Sequence, residues 1–472
     1  MLTPILDSSK SQPLYEQLYH YVRTEIENNR LAAHAKLPSK RTLAEHLKVS
    51  QMTVETAYGQ LVAEGYLYSR PKSGYFVQPI EPRSPQAAIM ETVTFAGREA
   101  MPSRPSNVAY DFSTDNTATD GFPFSIWARL VRETLNENSQ MLLQAGNFQG
   151  DYDLRRAIAG LLRSHRGIIC HPDQIIVGAG TEYLLGLAVQ LLGRDIGYAA
   201  EDPGYPKIHR ILHSNGVQTH AIPMDLQGIE LNALRQSEAS AVHVTPSHQF
   251  PLGIIMPVAR RRQLLNWAEE VPGRYILEDD YDSEFRFAGK PIPALKTLDT
   301  QGRVIYFNTF AKSLSPSLRF GYMVLPDELL YQFREKLGFY SSTVSNFEQR
   351  TLYRFLAGGY FERHLNRMRK SYKTKRDMLV KALTACDTQK KIAIYGHNTG
   401  LHVLLKVNNG MHEQELQESA LQQGVRVYGL SEYTSSVSEY GWNDTIVLGY
   451  AGIPLDKIEK AVELLAAAWL NV

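Results

Sequence analysis

Only two of the 472 residues are cysteine, Cys170 and Cys386. That is too few for a disulfide framework or a cysteine-rich zinc site, so no metal is expected. No run reaches the ~18 apolar residues a membrane span needs. The first ten residues (MLTPILDSSK) lack the basic-then-apolar pattern of a secretion signal. An excess of charge of one sign is missing too: fifty Lys and Arg stand against forty-nine Asp and Glu. That balance excludes a protein basic over its whole surface but leaves room for one small basic module. Neither internal repeats nor low-complexity tracts occur, and 43% of the residues are hydrophobic, as in ordinary globular proteins. A cytoplasmic globular chain with no membrane partner is expected. Its length exceeds what one hydrophobic core organises, which implies several domains.

The seam is marked by proline. Pro79, Pro82, Pro85, Pro102 and Pro105 bracket a weakly patterned stretch, and repeated proline blocks regular structure. The spacing predicts a head over 1–79, a linker over 80–106 and a body over 107–472. In the head, Leu14, Leu18, Val22 and Ile26 form one apolar helical stripe. Ser39 can cap a second helix running to Leu47, and Ser50 a third carrying Val54, Tyr58, Leu61 and Val62. Gly65 suits a left-handed end, and 66–77 reads as a ribbon turning at Lys72-Ser73-Gly74. Helix, turn, helix and ribbon make a mostly α winged helix-turn-helix. Arg30, Lys36, Lys40, Arg41 and Lys48 cluster there with one acid, Glu45, and Arg70 and Lys72 sit on the ribbon. Such a module binds double-stranded DNA or, as the plainer alternative, is a dimerisation module with a solvated basic face.

The run LPSKRTLAEHLKVSQMTVETAYGQLVAEGYL, followed by SGYFV, resembles the winged helix-turn-helix of GntR-family transcription regulators. The resemblance implies that Arg41, beside Lys40, contacts DNA from the second helix. It also implies that Ser50, Gln51 and Thr53 open the recognition helix and that Lys72 and Gly74 form the wing. Gln51 stands where many members carry Arg, which favours adenine over guanine at that contact.

The body alternates short apolar strands (175–178, 242–245, 275–279, 304–310) with helical segments. An α/β domain with a mostly parallel sheet follows, its ligands at the carboxyl ends of strands. Four loci fall at such ends. Gly178-Ala179-Gly180-Thr181-Glu182 opens a helix and can approach a phosphate, or simply pack closely. Asp279 ends YILED within the acidic run 278–284, and can meet a protonated ring nitrogen or form a solvated turn. Lys312, after VIYFNTFA, is a candidate desolvated nucleophile, with Arg319 seven residues on as a phosphate ligand. Tyr205, in Pro203-Gly204-Tyr205-Pro206, can stack on a flat heterocycle. Their order describes a pyridoxal phosphate pocket.

With FPFSIWARLVRETL, GNFQGDYDLRRAIAGLL, VTPSHQFPLGIIMP and FAKSLSPSLRFGYMVLP, the body resembles fold-type I aminotransferases, with large and small subdomains. The resemblance implies a Schiff base at Lys312, Asp279 on the pyridine nitrogen, Tyr281 on the ring hydroxyl and Tyr205 stacked on the ring. It implies Gly180, Thr181, Thr309 and Arg319 around the phosphate; Ala311 replaces the serine that often precedes the lysine.

The joined head and body resemble the MocR/GabR subfamily of bacterial regulators, whose members form head-to-tail homodimers and answer to a small-molecule effector. Aminotransferases clamp the substrate carboxylate with a C-terminal arginine, yet no arginine follows Arg426. Lys207 and Leu430 stand where GABA-sensing members use arginine. The expectation is therefore a regulator, not an enzyme, that senses pyridoxal phosphate itself, as PdxR-type members do in controlling vitamin B6 synthesis. Two alternatives remain: an amino-acid sensor working through an external aldimine, with Lys207 and Arg426 as a partial clamp, and an active aminotransferase.

Overall fold

A computed structural model of the chain describes residues 2–9, 12–80, 108–118, 121–137, 140–287, 292–434 and 442–470. Two units divide between Ser103 and Arg104. The expected linker, 80–106, lies outside the described residues except for Ile80.

In the first unit, Leu14–Glu27 buries Leu18, Val22 and Ile26, the stripe read from the sequence. Ser39 accepts a hydrogen bond from Thr42 N and opens Lys40–Leu47. Ser50 does the same from Thr53 N at 3.1 Å and opens Gln51–Ala63. Val54, Ala57, Tyr58 and Leu61 of that helix are fully buried. Gly65 follows at φ +79°, in the left-handed region. Leu67–Arg70 then pairs antiparallel with Gly74–Val77, around a turn in which Lys72 itself takes φ +58°. The Ser50 hydroxyl joins the Ser50 carbonyl in accepting from the first-turn Thr53 N–H, so Ser50→Ala is expected to cost about 1 kcal/mol. Urea unfolding of the full chain, followed in the transition of this unit, checks it.

In the second unit, an eight-stranded sheet runs in the order Ile175–Gly178, Gly321–Val324, Val304–Thr309, Tyr275–Asp279, Ala239–Val244, Gly197–Asp202, Thr219–Asp225, Gly228–Ile229. Five of these are mutually parallel between Val304–Thr309 and Thr219–Asp225, and Gly321–Val324 is antiparallel to both its neighbours. Side chains alternate across the sheet: Ile305 and Phe307 pack with Leu184, Ile208 and Phe333, whereas Tyr306 packs with Leu154, Phe355 and Phe361. Burial on both faces explains why the strands read as continuous apolar runs. A second, antiparallel sheet joins Ile392–Tyr395, His402–Val407, Thr445–Gly449 and Tyr428–Gly429 and packs with helix Ile458–Trp469.

Parallel pairing has one consequence for chemistry. The carboxyl ends of Ile175–Gly178, Gly197–Asp202, Ala239–Val244, Tyr275–Asp279 and Val304–Thr309 share one edge. The antiparallel Gly321–Val324 begins there as well, so segments far apart in the chain meet, Arg319 with Ala179 across 140 residues among them.

Candidate functional site

At that edge lies a cavity of about 270 Å³. All eight residues expected around a cofactor line it: Gly180, Thr181, Tyr205, Asp279, Tyr281, Thr309, Lys312 and Arg319. Lys312 donates from Nζ to the Thr114 carbonyl at 2.7 Å. Burial pulls its pKa below the ordinary lysine value, against the opposing pull of Asp115 and Asp282. Asp279 is 8% exposed. Its Oδ2 stands 3.5 Å from His243 Nε2, while Oδ1 is buried with no hydrogen-bond partner. Tyr281 OH lies 3.0 Å from His248 Nδ1, which is 2.9 Å from Asp282 Oδ2. Burial first, then Asp282 and Asp279, hold the Tyr281 hydroxyl well above its ordinary pKa, hence protonated. Tyr205 donates to Asp115 Oδ1 at 3.2 Å and meets Phe250 edge-on, with centroids 5.5 Å apart.

At the other end of the cavity, Gly180 has φ +88°. A Cβ there would stand 3.1 Å from the Arg319 guanidinium, so glycine serves both the backbone and the close approach. Arg319 donates to the Ala179 carbonyl at 3.1 Å and to Glu182 Oε2 at 2.7 Å. The Thr309 hydroxyl accepts from Ala311 N at 2.9 Å. The acidic run 278–284 is not a solvated turn: Glu278, Asp279, Asp280, Asp282 and Ser283 are all buried. Asp279, Tyr281 and Asp282 line the cavity, whereas Asp280 turns away to an ion pair with Arg166 at 2.6 Å.

Residues 112–465 match the family of aminotransferases of class I and II, and residues 14–77 match the gntR family of bacterial regulatory proteins. Over 99% of both chains, the sequence is 40% identical to the uncharacterized HTH-type transcriptional regulator YdeL of Bacillus subtilis. It is 35% identical to the probable rhizopine catabolism regulatory protein MocR of Rhizobium meliloti, over 99% of this chain and 96% of that one. The chain belongs to the MocR-type regulators of the GntR family. As a member it is a transcriptional regulator carrying an aminotransferase-type domain, rather than an enzyme. A pyridoxine biosynthesis regulator, PdxR of Corynebacterium glutamicum, is 31% identical over 92% of this chain and 91% of its own. The fold of the second unit is that of Pyrococcus horikoshii kynurenine aminotransferase, with a TM-score of 0.67 at 24% identity. That match covers 81% of this chain and 99% of the other.

Within this regulator, the positions weighed for a carboxylate clamp lie apart. Leu430 is buried in the core. Arg426 lines a separate cleft with Gln417, Tyr428 and Glu432, its guanidinium 5.3 Å from the Tyr428 ring centroid. Strand Val425–Arg426 pairs with Tyr110–Asp111 and carries it there, so Arg426 is no part of a clamp in the main cavity. Lys207 lines the cavity, but its Nζ is 3.6 Å from Glu182 Oε1, beside the proposed phosphate end. His243, His402, Asp115, Phe250 and Glu182 also line the cavity; the sequence motifs contain Glu182 and Phe250 without marking a role for either, and His243, His402 and Asp115 were not singled out. The run VTPSHQFP was an available signal for His248 and Phe250; Thr114, acting through its backbone carbonyl, had none.

In the head, Arg41 is 83% exposed in its side chain and pairs with Glu45, while Lys40 is held by Glu55 at 2.6 Å. Gln51 and Lys72 are exposed, Thr53 is half-buried with its hydroxyl on Ser50, and Gly74 has φ +107°. No helix among the described residues is long and apolar enough to cross a membrane, and none of their His, Cys, Asp and Glu groups could hold a metal.

Proposed function

We propose that the body binds pyridoxal phosphate at Lys312 and that this binding governs how the head grips operator DNA. The observation that carries the reading is the pairing, in one cavity, of a desolvated Lys312 amine with a buried Asp279 Oδ1 that has no partner. A buried carboxylate oxygen without a donor costs free energy unless a ligand supplies one, and a protonated pyridine nitrogen is such a donor. The other residues fit the same group. Tyr281 stays protonated and can donate to the ring hydroxyl, Tyr205 offers its ring face, and Gly180, Thr181, Thr309 and Arg319 surround a phosphate. When bound, the cofactor supplies an aldehyde that condenses with an amine, and a ring that absorbs visible light. The chain's own part is to keep the Lys312 amine able to shed its proton, to present the unpartnered Asp279 Oδ1 to the ring nitrogen, and to exclude water with Phe250 and Leu401.

The proposed effector is pyridoxal phosphate itself, and the regulated process its synthesis. Three positions support this over an amino acid: Leu430 is apolar and buried, Arg426 sits in another cleft, and Lys207 lies against Glu182. A carboxylate clamp needs fixed cationic donors. In the head, Lys40, Arg41, Lys72 and Gly74 would take phosphates, while Ser50, Gln51 and Thr53 open the helix that reads the major groove. A homodimer is proposed, since such heads read paired half-sites. Cofactor binding shifts the DNA-bound population only as far as two conformations differ in cofactor affinity. The test is a DNA titration of cofactor-free protein with pyridoxal phosphate or amino acids added back. A change of operator affinity or footprint with the cofactor alone supports the reading; a change only with an amino acid overturns the choice of effector.

A further inference from the structure

We propose that Glu182 sets the cofactor affinity of this site by competing with the cofactor phosphate for Arg319 and Lys207, so that occupancy follows the free concentration of the phosphorylated aldehyde. The inference rests on the reading of the cavity as a pyridoxal phosphate site.

Glu182 lies in the first turn of helix Thr181–Leu192, next to the two residues expected to meet the phosphate. Its Oε2 accepts from Arg319 at 2.7 Å and its Oε1 stands 3.6 Å from Lys207 Nζ. Two cations of the cavity thus converge on one carboxylate. The guanidinium is also tied to the Ala179 carbonyl at 3.1 Å and lies against Gly180, where a Cβ would stand 3.1 Å away. Arg319 is therefore held at the helix start with its charge already partnered.

All three side chains are about half exposed (46% for Glu182, 50% for Arg319, 48% for Lys207). Exposed pairs of this kind are weak and exchange readily. Glu182 acts as a displaceable counter-ion, not as a lock. A phosphate dianion can outbid a carboxylate for a guanidinium, but it then shares one helix N-terminus with the carboxylate it displaced. Each binding event carries that like-charge cost. An enzyme that keeps its cofactor gains nothing from it; a sensor that must release cofactor as supply falls does. The plainer role for a first-turn acid is to complement the helix dipole, which predicts a small change in stability and none in cofactor affinity.

The experiment uses the full-length chain freed of cofactor and titrated with pyridoxal phosphate at fixed ionic strength, read by the visible absorbance band. Glu182→Gln keeps the shape and removes the charge, and is expected to lower Kd about three- to fivefold. The inhibition constant of inorganic phosphate, added as competitor, is expected to fall in the variant by a similar factor, because the same contested subsite takes it. In an Arg319→Met background the same Glu182 change is expected to tighten Kd by a clearly smaller factor, because the nearer of the two contested cations is gone while Lys207 remains. An unchanged or raised Kd in Glu182→Gln, or a tightening of equal size without Arg319, overturns the inference while leaving the cofactor reading intact. A wild-type chain that develops no visible band overturns the cofactor reading itself, before any variant is compared.

Discussion

Lys312→Ala is expected to be colourless once excess pyridoxal phosphate is removed and to yield no borohydride-trapped adduct on the peptide spanning residue 312. The loss of cofactor affinity should be on the order of a hundredfold, since one covalent attachment is exchanged for the remaining non-covalent contacts. Wild type should show both signals, because burial lowers the Lys312 pKa and so raises the neutral fraction near neutral pH. The sign of the linked pH effect can be worked out. Between the depressed pKa of the folded state and the ordinary lysine value, the unfolded chain binds more protons. Stability therefore rises with pH across that window, and the slope should shrink in the variant. Operator affinity of Lys312→Ala should no longer respond to the cofactor, while its circular dichroism stays that of wild type. A visible band that survives in the variant would place the attachment at another amine.

Arg166→Met should cost about 3–5 kcal/mol of stability, the range for breaking a buried ion pair by removing one partner. Arg166 and Asp280 are 5% and 1% exposed in their side chains and pair at 2.6 Å. The guanidinium also donates to Ser247 Oγ at 2.8 Å, and Tyr306 OH donates to Asp280 Oδ2 at 2.6 Å. Nearby, burial pushes the Glu284 carboxyl up to about 7, with Arg166 among the groups holding it down. Without Arg166 the folded state holds a proton on Glu284 that the unfolded state has released, so its stability falls as pH rises. The deficit read by urea unfolding should be larger at pH 8 than at pH 6. Because Asp280 adjoins Asp279 and Ser247 adjoins His248, the change also loosens the cavity floor, and cofactor affinity should drop with stability. A deficit under about 1 kcal/mol, or one independent of pH, would show that Asp280 finds another partner.

Much of the fold was legible because its determinants are local. Ser39 and Ser50 act as caps within three residues. Ile175–Gly178 and Tyr275–Asp279 begin and end where the apolar runs do, since strands buried on both faces carry no polar alternation to blur them. Strands 242–245 and 304–310 were placed but shifted at their ends, to Ala239–Val244 and Val304–Thr309. There the neighbouring strand, not the residue, decides how far pairing extends.

The sequence by itself determined the head, the sheet and the identities of eight cavity-lining residues, because caps, apolar runs and Gly-x-Gly turns act over a few positions. Only the tertiary structure decided which groups they meet. Thr114 reaches Lys312 across 198 residues, Glu182 reaches Arg319 across 137, and Arg166 takes Asp280 but not Asp279. Arg426, a residue of the right chemistry, was carried into another cleft by one short strand pairing. Parallel crossovers set these encounters, and they join positions that no local window of sequence contains.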